Sequence, residues 1–125
     1  SMTYQEKASK LRAQGCNCCQ AVLGCCCDKW DMDEETARRL GAFFGGGMRR
    51  GEVCGAIVGA VMALGLQYGE DRKNTQSLAL MKQFRETYGS ILCKELLGED
   101  GKKKKDLCPV LIQFCAEYLE KEFTE

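Results

Sequence analysis

The sequence predicts an all-α, single-domain bundle of about five to six helices around a buried apolar central helix at about 52-68. Three observations carry this expectation. The 125 residues include one proline, and no segment sustains the period-two alternation of a half-buried strand. Helix start and stop signals recur along the whole chain. Val53 to Leu66 is an unbroken run of 14 apolar or glycine residues, too short to cross a bilayer and the right length for a core helix. One domain is expected over 1-125, with Ser1 before Met2 reading as a tag remnant.

Each element follows from local chemistry. Thr3 with Glu6 three residues on forms a capping box for a first helix to about Gln14, and Gly15 stops it. Asn17 caps a second helix, "CCQAVLGCCCDKW". Asp33 caps a third, "EETARRLGAFF", whose first-turn acids suit the helix dipole; the glycines at 45–47 end it. The fourth helix begins near Glu52. Its Gly55, Gly59 and Ala63 recur every four residues and let another helix backbone come close, within the chain or between chains. A fifth, about Arg72 to Tyr88, has Leu78, Met81, Arg85 and Tyr88 on one face and ends at Gly89. Ser90 caps a short helix that stops at Gly98. A polar loop holding "KKKK" at 102–105, read as solvated, leads to the last helix, where Pro109 sits in the first turn. Leu111, Ile112, Cys115 and Leu119 make that helix's buried face.

Composition removes several function classes. Net charge is zero and the pI is about 6.3, so neither a nucleic-acid nor a membrane surface is expected. Histidine is absent, which excludes Ser-His and Cys-His catalysis and mixed Cys/His zinc sites. No phosphate-loop or dinucleotide-binding motif occurs. The acidic residues, Glu34, Glu35, Glu117 and Glu120 among them, read as solvated helix faces. Ten cysteines remain. With no apolar leader in "SMTYQEKASK", a reducing cytoplasm is expected, where so many thiols point to metal or redox chemistry.

The cysteines divide by position. Cys18, Cys54, Cys93 and Cys108 each fall at the N-terminal end of a different helix. There, unpaired N–H groups and about half a positive charge favour a thiolate, lower its pKa and suit an anionic cluster. Cys25, Cys26 and Cys27 are consecutive and point about 100° apart, so they do not share one site. Together with Cys115 they read as small core residues. Cys16 and Cys19 flank Cys18, and Cys16 could be an extra thiol beside it.

These motifs resemble a known family, the redox-active proteins named for a C…CGAxxG…C…C pattern. "NCCQAV" at 17–22 is similar to that family's start, with Cys19 in place of the usual small residue. "GGGMRRGEVCGAIVGAVMALG" is similar to its central signature, with Cys54 to Gly59 filling CGAxxG. "GSILCKELLG" and "LCPVLI" are similar to its third and fourth cysteine segments. The resemblance implies that Cys18, Cys54, Cys93 and Cys108 are the characteristic four. A related domain attached to a split-Soret-type cytochrome is associated with an iron–sulfur cluster. The chain departs from the pattern in its six extra cysteines.

Four readings stand at this point. The first is a four-thiolate iron–sulfur site for electron transfer or redox sensing, served by an unidentified redox partner protein. With spacings of 36, 39 and 15 residues, only tertiary packing would assemble it. Arg49 and Arg50 would either add positive field or be solvated loop charge. The second is thiol–disulfide exchange by two of the four. The third is a structural zinc site with all four cysteines as ligands, although paired CxxC knuckles are missing. The last is a helical bundle with incidental cysteines. Whether the chain is an enzyme, and whether it forms a homo-oligomer, stay open.

Overall fold

A computed structural model describes residues 1–98 and 106–124. The "KKKK" loop lies outside the described residues. Among the described residues seven α-helices form: α1 (Tyr4–Ala13), α2 (Cys18–Gly24), α3 (Glu34–Gly41), α4 (Gly55–Tyr68), α5 (Gln76–Tyr88), α6 (Cys93–Leu97) and α7 (Leu107–Thr124). The fold is all-α as expected, and the five-residue α6 takes the number past six. Among the described residues no helix is long and apolar enough to cross a membrane.

The caps act where the sequence puts them. The Thr3 hydroxyl accepts from Glu6 N–H at 3.1 Å while the Glu6 carboxylate accepts from Thr3 N–H at 2.9 Å. Asn17 and Gln20 make the same reciprocal pair at α2, at 2.9 and 2.8 Å. Asn17 also donates its amide to the Gly41 and Ala42 carbonyls at 3.0 and 3.1 Å, so one side chain joins the start of α2 to the end of α3. Asp33 accepts from Thr36 N–H at 2.7 Å.

α4 is the central helix, and α2 is its closest partner. The small-residue stripe explains why. A Cβ at Gly59 would lie 2.8 Å from the Cys19 carbonyl oxygen, and one at Gly55 would lie 2.8 Å from the Phe44 carbonyl oxygen and 3.3 Å from Cys18 Cβ. Only glycine lets the two backbones approach this closely. α1 packs against α2 and α7, and α7 packs in turn against α4 and α2. The buried face of α7 is Cys108, Leu111, Ile112, Cys115, Ala116 and Leu119.

Four expectations are corrected. α2 does not run through Trp30: it ends at Gly24, and Cys27–Trp30 form a separate 3-10 turn closed by Asp31 in the left-handed region. α3 stops at Gly41, not Phe44, because Asn17 takes its last carbonyls. The buried face of α5 holds Leu80 and Phe84, whereas Leu78 and Arg85 point to solvent. Phe84 packs edge-on against Tyr88 and against Phe114 of α7, at 5.0 and 5.6 Å. Ser90 does not cap α6 directly; its hydroxyl accepts from Leu92 N–H at 3.0 Å and donates to Glu95 at 2.6 Å.

The segment between α3 and α4 is more than a helix stop. Gly46, Gly47, Met48 and Arg49 have φ of 65°, 63°, 60° and 61°, four left-handed residues in a row. The two that are not glycine cost about 1–2 kcal/mol each. The turn is held by Met48 N–H donating to the Phe44 carbonyl at 3.3 Å and Glu52 N–H to the Gly47 carbonyl at 2.9 Å.

Candidate functional site

The four sequence-predicted cysteines sit at four helix starts. Cys18 is the first residue of α2, Cys54 immediately precedes α4, Cys93 opens α6 and Cys108 is second in α7. All four line one cavity of about 210 Å³, with Arg12, Asn17, Gly45, Gly46, Gly55, Leu96, Leu97 and Leu111 around them.

The backbone dictates this convergence. Val53 and Leu92 form an isolated antiparallel bridge. Cys54 N–H donates to the Ile91 carbonyl at 2.8 Å and Cys93 N–H to the Glu52 carbonyl at 2.7 Å. Two cysteines far apart in the chain are thereby pinned side by side. The glycine contact between α2 and α4 brings Cys18 against Gly55, next to Cys54. Packing of α7 on α2 and α4 adds Cys108. Cys54, Cys93 and Cys108 are 4%, 7% and 7% exposed, so the cavity is shielded without being sealed.

Cys18, Cys54 and Cys93 are held protonated, which corrects the expectation of lowered pKa values. The Cys18 thiol lies against that of Cys108, and this contact, followed by burial, pushes its pKa far above the ordinary thiol value; Arg12 pulls the other way. Burial raises Cys54 to about 11, while the Ile57 and Ala56 N–H groups of the α4 start favour its thiolate. No capping hydrogen bond closes to that sulfur. Burial, then Cys108, raises Cys93. Desolvation and mutual repulsion outweigh the helix termini for as long as the sulfurs have only protons to bind.

Arg12 brings positive charge to the cavity wall. Its Nη1 donates to the Cys16 carbonyl at 2.9 Å. Arg49 and Arg50 are solvated loop charge: Arg49 lies 5.7 Å over the Phe43 ring, and Arg50 pairs with Glu52 at 3.4 Å. Arg12 belongs to α1, outside every cysteine segment, and nothing in the spacing marks it.

The other cysteines stay away from the cavity lining. Cys16, Cys19 and Cys115 are buried. Cys25 donates its S–H to the Val22 carbonyl at 3.0 Å, Cys26 to Leu23 at 3.7 Å and Cys27 to Gly24 at 3.5 Å.

The residues fit some groups better than others. A single tetrahedral zinc ion needs every sulfur about 2.3 Å from one point. Among the described residues no three Cys, Asp or Glu side chains are gathered tightly enough to hold a metal ion. The four thiols stand instead around a small void, an arrangement that suits a compact polyatomic group reached from its periphery. Pockets for small organic ligands generally measure about 300–1,000 Å³, more than this cavity of about 210 Å³.

A family model described as "Putative redox-active protein (C_GCAxxG_C_C)" matches residues 16–122. Neither a curated protein nor a solved structure matches the chain.

Proposed function

The chain belongs to the C_GCAxxG_C_C family, and from that premise we propose that Cys18, Cys54, Cys93 and Cys108 hold an iron–sulfur cluster for electron transfer or redox sensing. One observation carries the reading: thiols from four separate helix starts line a single small cavity. Four thiolates are the usual ligand set of [2Fe–2S] and [4Fe–4S] clusters. Such a group, when bound, supplies a centre that gains and loses one electron at a time. The chain does the rest. Leu96, Leu97 and Leu111 limit water at the cavity. Arg12 and the amides at the start of α4 offset negative charge on the sulfurs. Loading requires the four thiols to give up their protons, and a reducing cytoplasm keeps them available.

The experiment is purification without oxygen, with a visible spectrum and assays for iron, sulfide and zinc. Broad visible absorption with iron and sulfide in comparable amounts is expected. A colourless protein that takes up neither on reconstitution overturns the reading; bound zinc alone would replace it with a four-cysteine zinc site.

The contact between the Cys18 and Cys108 thiols favours a second reading, a reversible disulfide. The two thiols would lose two protons and two electrons to an incoming disulfide, which becomes two thiols. The raised pKa of Cys18 works against it, because exchange proceeds through thiolate.

A further inference from the structure

The left-handed turn beside the cavity presents an unusual surface. Leu40, Phe43 and Met48 are 48%, 70% and 51% exposed. They are close together in the chain, whereas the other exposed large apolar residues are spread along it. Phe43 and Met48 flank Gly45 and Gly46, which line the cavity. The segment that carries Phe43 and Met48 therefore also supplies part of the cavity wall.

Its rim is basic. Arg39 lies four residues before Phe43, in the last turn of α3, and Arg49 stacks on the Phe43 ring. Arg50 follows, and Lys94 packs against Gly51. All four cations are exposed. The nearby carboxylates are Glu52, paired with Arg50, and Glu95, which accepts from Ser90. Among the described residues, four cations thus stand with these two carboxylates, in a protein of zero net charge. Aromatic, methionine and arginine side chains are what the centre of a protein–protein interface favours. The left-handed backbone at Met48 and Arg49 is strained, and such strain persists where the surrounding structure over-determines it, often at sites of recognition.

We propose that Leu40, Phe43, Met48 and Arg49 form a docking surface for a small acidic electron-carrier protein. The occupant follows from charge. Pairing with a second copy of this chain would set Arg39, Arg49, Arg50 and Lys94 against the same cations, and like charges face to face oppose binding. A partner with a negative rim and an apolar centre complements the patch and brings its own centre next to the cysteine cavity. Only the class of partner rests on the redox reading of the site; the surface itself does not.

The test is a titration of the full chain, ¹⁵N-labelled, with a ferredoxin of strongly negative net charge. It is run on metal-free reduced protein and on anaerobically reconstituted protein, at low salt and at about 0.3 M salt, where screening is strong. Amide shifts are expected at Leu40, Phe43, Met48 and Arg49 and should fade at high salt. Phe43→Ala and Arg49→Glu should each weaken binding about tenfold or more, and Leu78→Ala, on an exposed face of α5, should leave it unchanged. Binding at these residues by protein that takes up no iron on reconstitution would leave the surface standing while the cluster reading fails. Iron-loaded protein that shows no shifts, or shifts elsewhere, overturns the docking surface alone. A dimer in sedimentation that Phe43→Ala dissociates also overturns it, in favour of self-association.

Discussion

The two ends of α2 carry sulfur in opposite settings. At the N-terminal end, Cys18 joins Cys54, Cys93 and Cys108 around a cavity, and N–H donors of the α4 start lie near the Cys54 sulfur. At the C-terminal end, Cys25, Cys26 and Cys27 follow one another and donate their S–H groups to carbonyls of the preceding turn. Contact with Cys26 and burial push the Cys25 thiol well above its ordinary pKa. Carbonyls reward the protonated form and amides reward the anion. Helix polarity thus separates the two groups of cysteines, one placed for binding and the other for filling the core.

Alkaline titration sharpens this contrast with the largest expected change in stability. Cys54 is raised from 9.0 to about 11, so the folded state prefers its thiol. That preference contributes fully below the ordinary value of 9.0 and is lost as pH rises through about 11. Metal-free protein should lose about 3 kcal/mol over this window from Cys54 alone, measured by urea unfolding at fixed ionic strength. Metal uptake should run the other way and strengthen with pH, because the ligands must be deprotonated. Stability unchanged up to about pH 11 would show that Cys54 is not buried as described.

A smaller effect breaks the link between the two ends. Gly59→Ala places a methyl 2.8 Å from the Cys19 carbonyl oxygen and should push α2 away from α4. A cost of about 1–3 kcal/mol is expected, read as a lowered Tm, with a fall in bound iron because Cys18 moves too. Gly65→Ala, with nothing within 4 Å, is the control and should cost nothing.

Much of this contrast was legible in the sequence, and the part that was not has a physical reason. Caps are local, so Thr3, Asn17 and Asp33 could be read from a few residues; Asn17 placed Cys18 at a helix start, while Glu52, Ser90 and Pro109 marked the starts near Cys54, Cys93 and Cys108. The glycine stripe was legible because its period is that of the helix. The face of α5 was not: Leu78, Leu80, Met81, Phe84 and Tyr88 allow two apolar stripes, and the packing of α5 on α4 and on Phe114 of α7 chooses between them. Nor was the left-handed backbone at Met48 and Arg49, residue types that rarely adopt it. Arg12 escaped because its place at the cavity comes from the packing of α1 on α2, which no spacing encodes.

The smallest predicted effect concerns that arginine. Arg12→Gln removes a cation that favours the Cys18 thiolate and should weaken metal affinity about tenfold, measured by competition with a chelator. Arg50→Gln, changed outside the cavity, should leave affinity alone. Equal losses in both variants would mean that the effect is overall charge and not position.

The account is tested most directly by iron content per chain after anaerobic reconstitution of two variants, Cys54→Ser and Cys26→Ser. The prediction is that Cys54→Ser loses its iron and sulfide while Cys26→Ser keeps the wild-type amount. Retention of iron by Cys54→Ser, or its loss from Cys26→Ser alone, would contradict the assignment of binding to the cavity at the N-terminal end of α2.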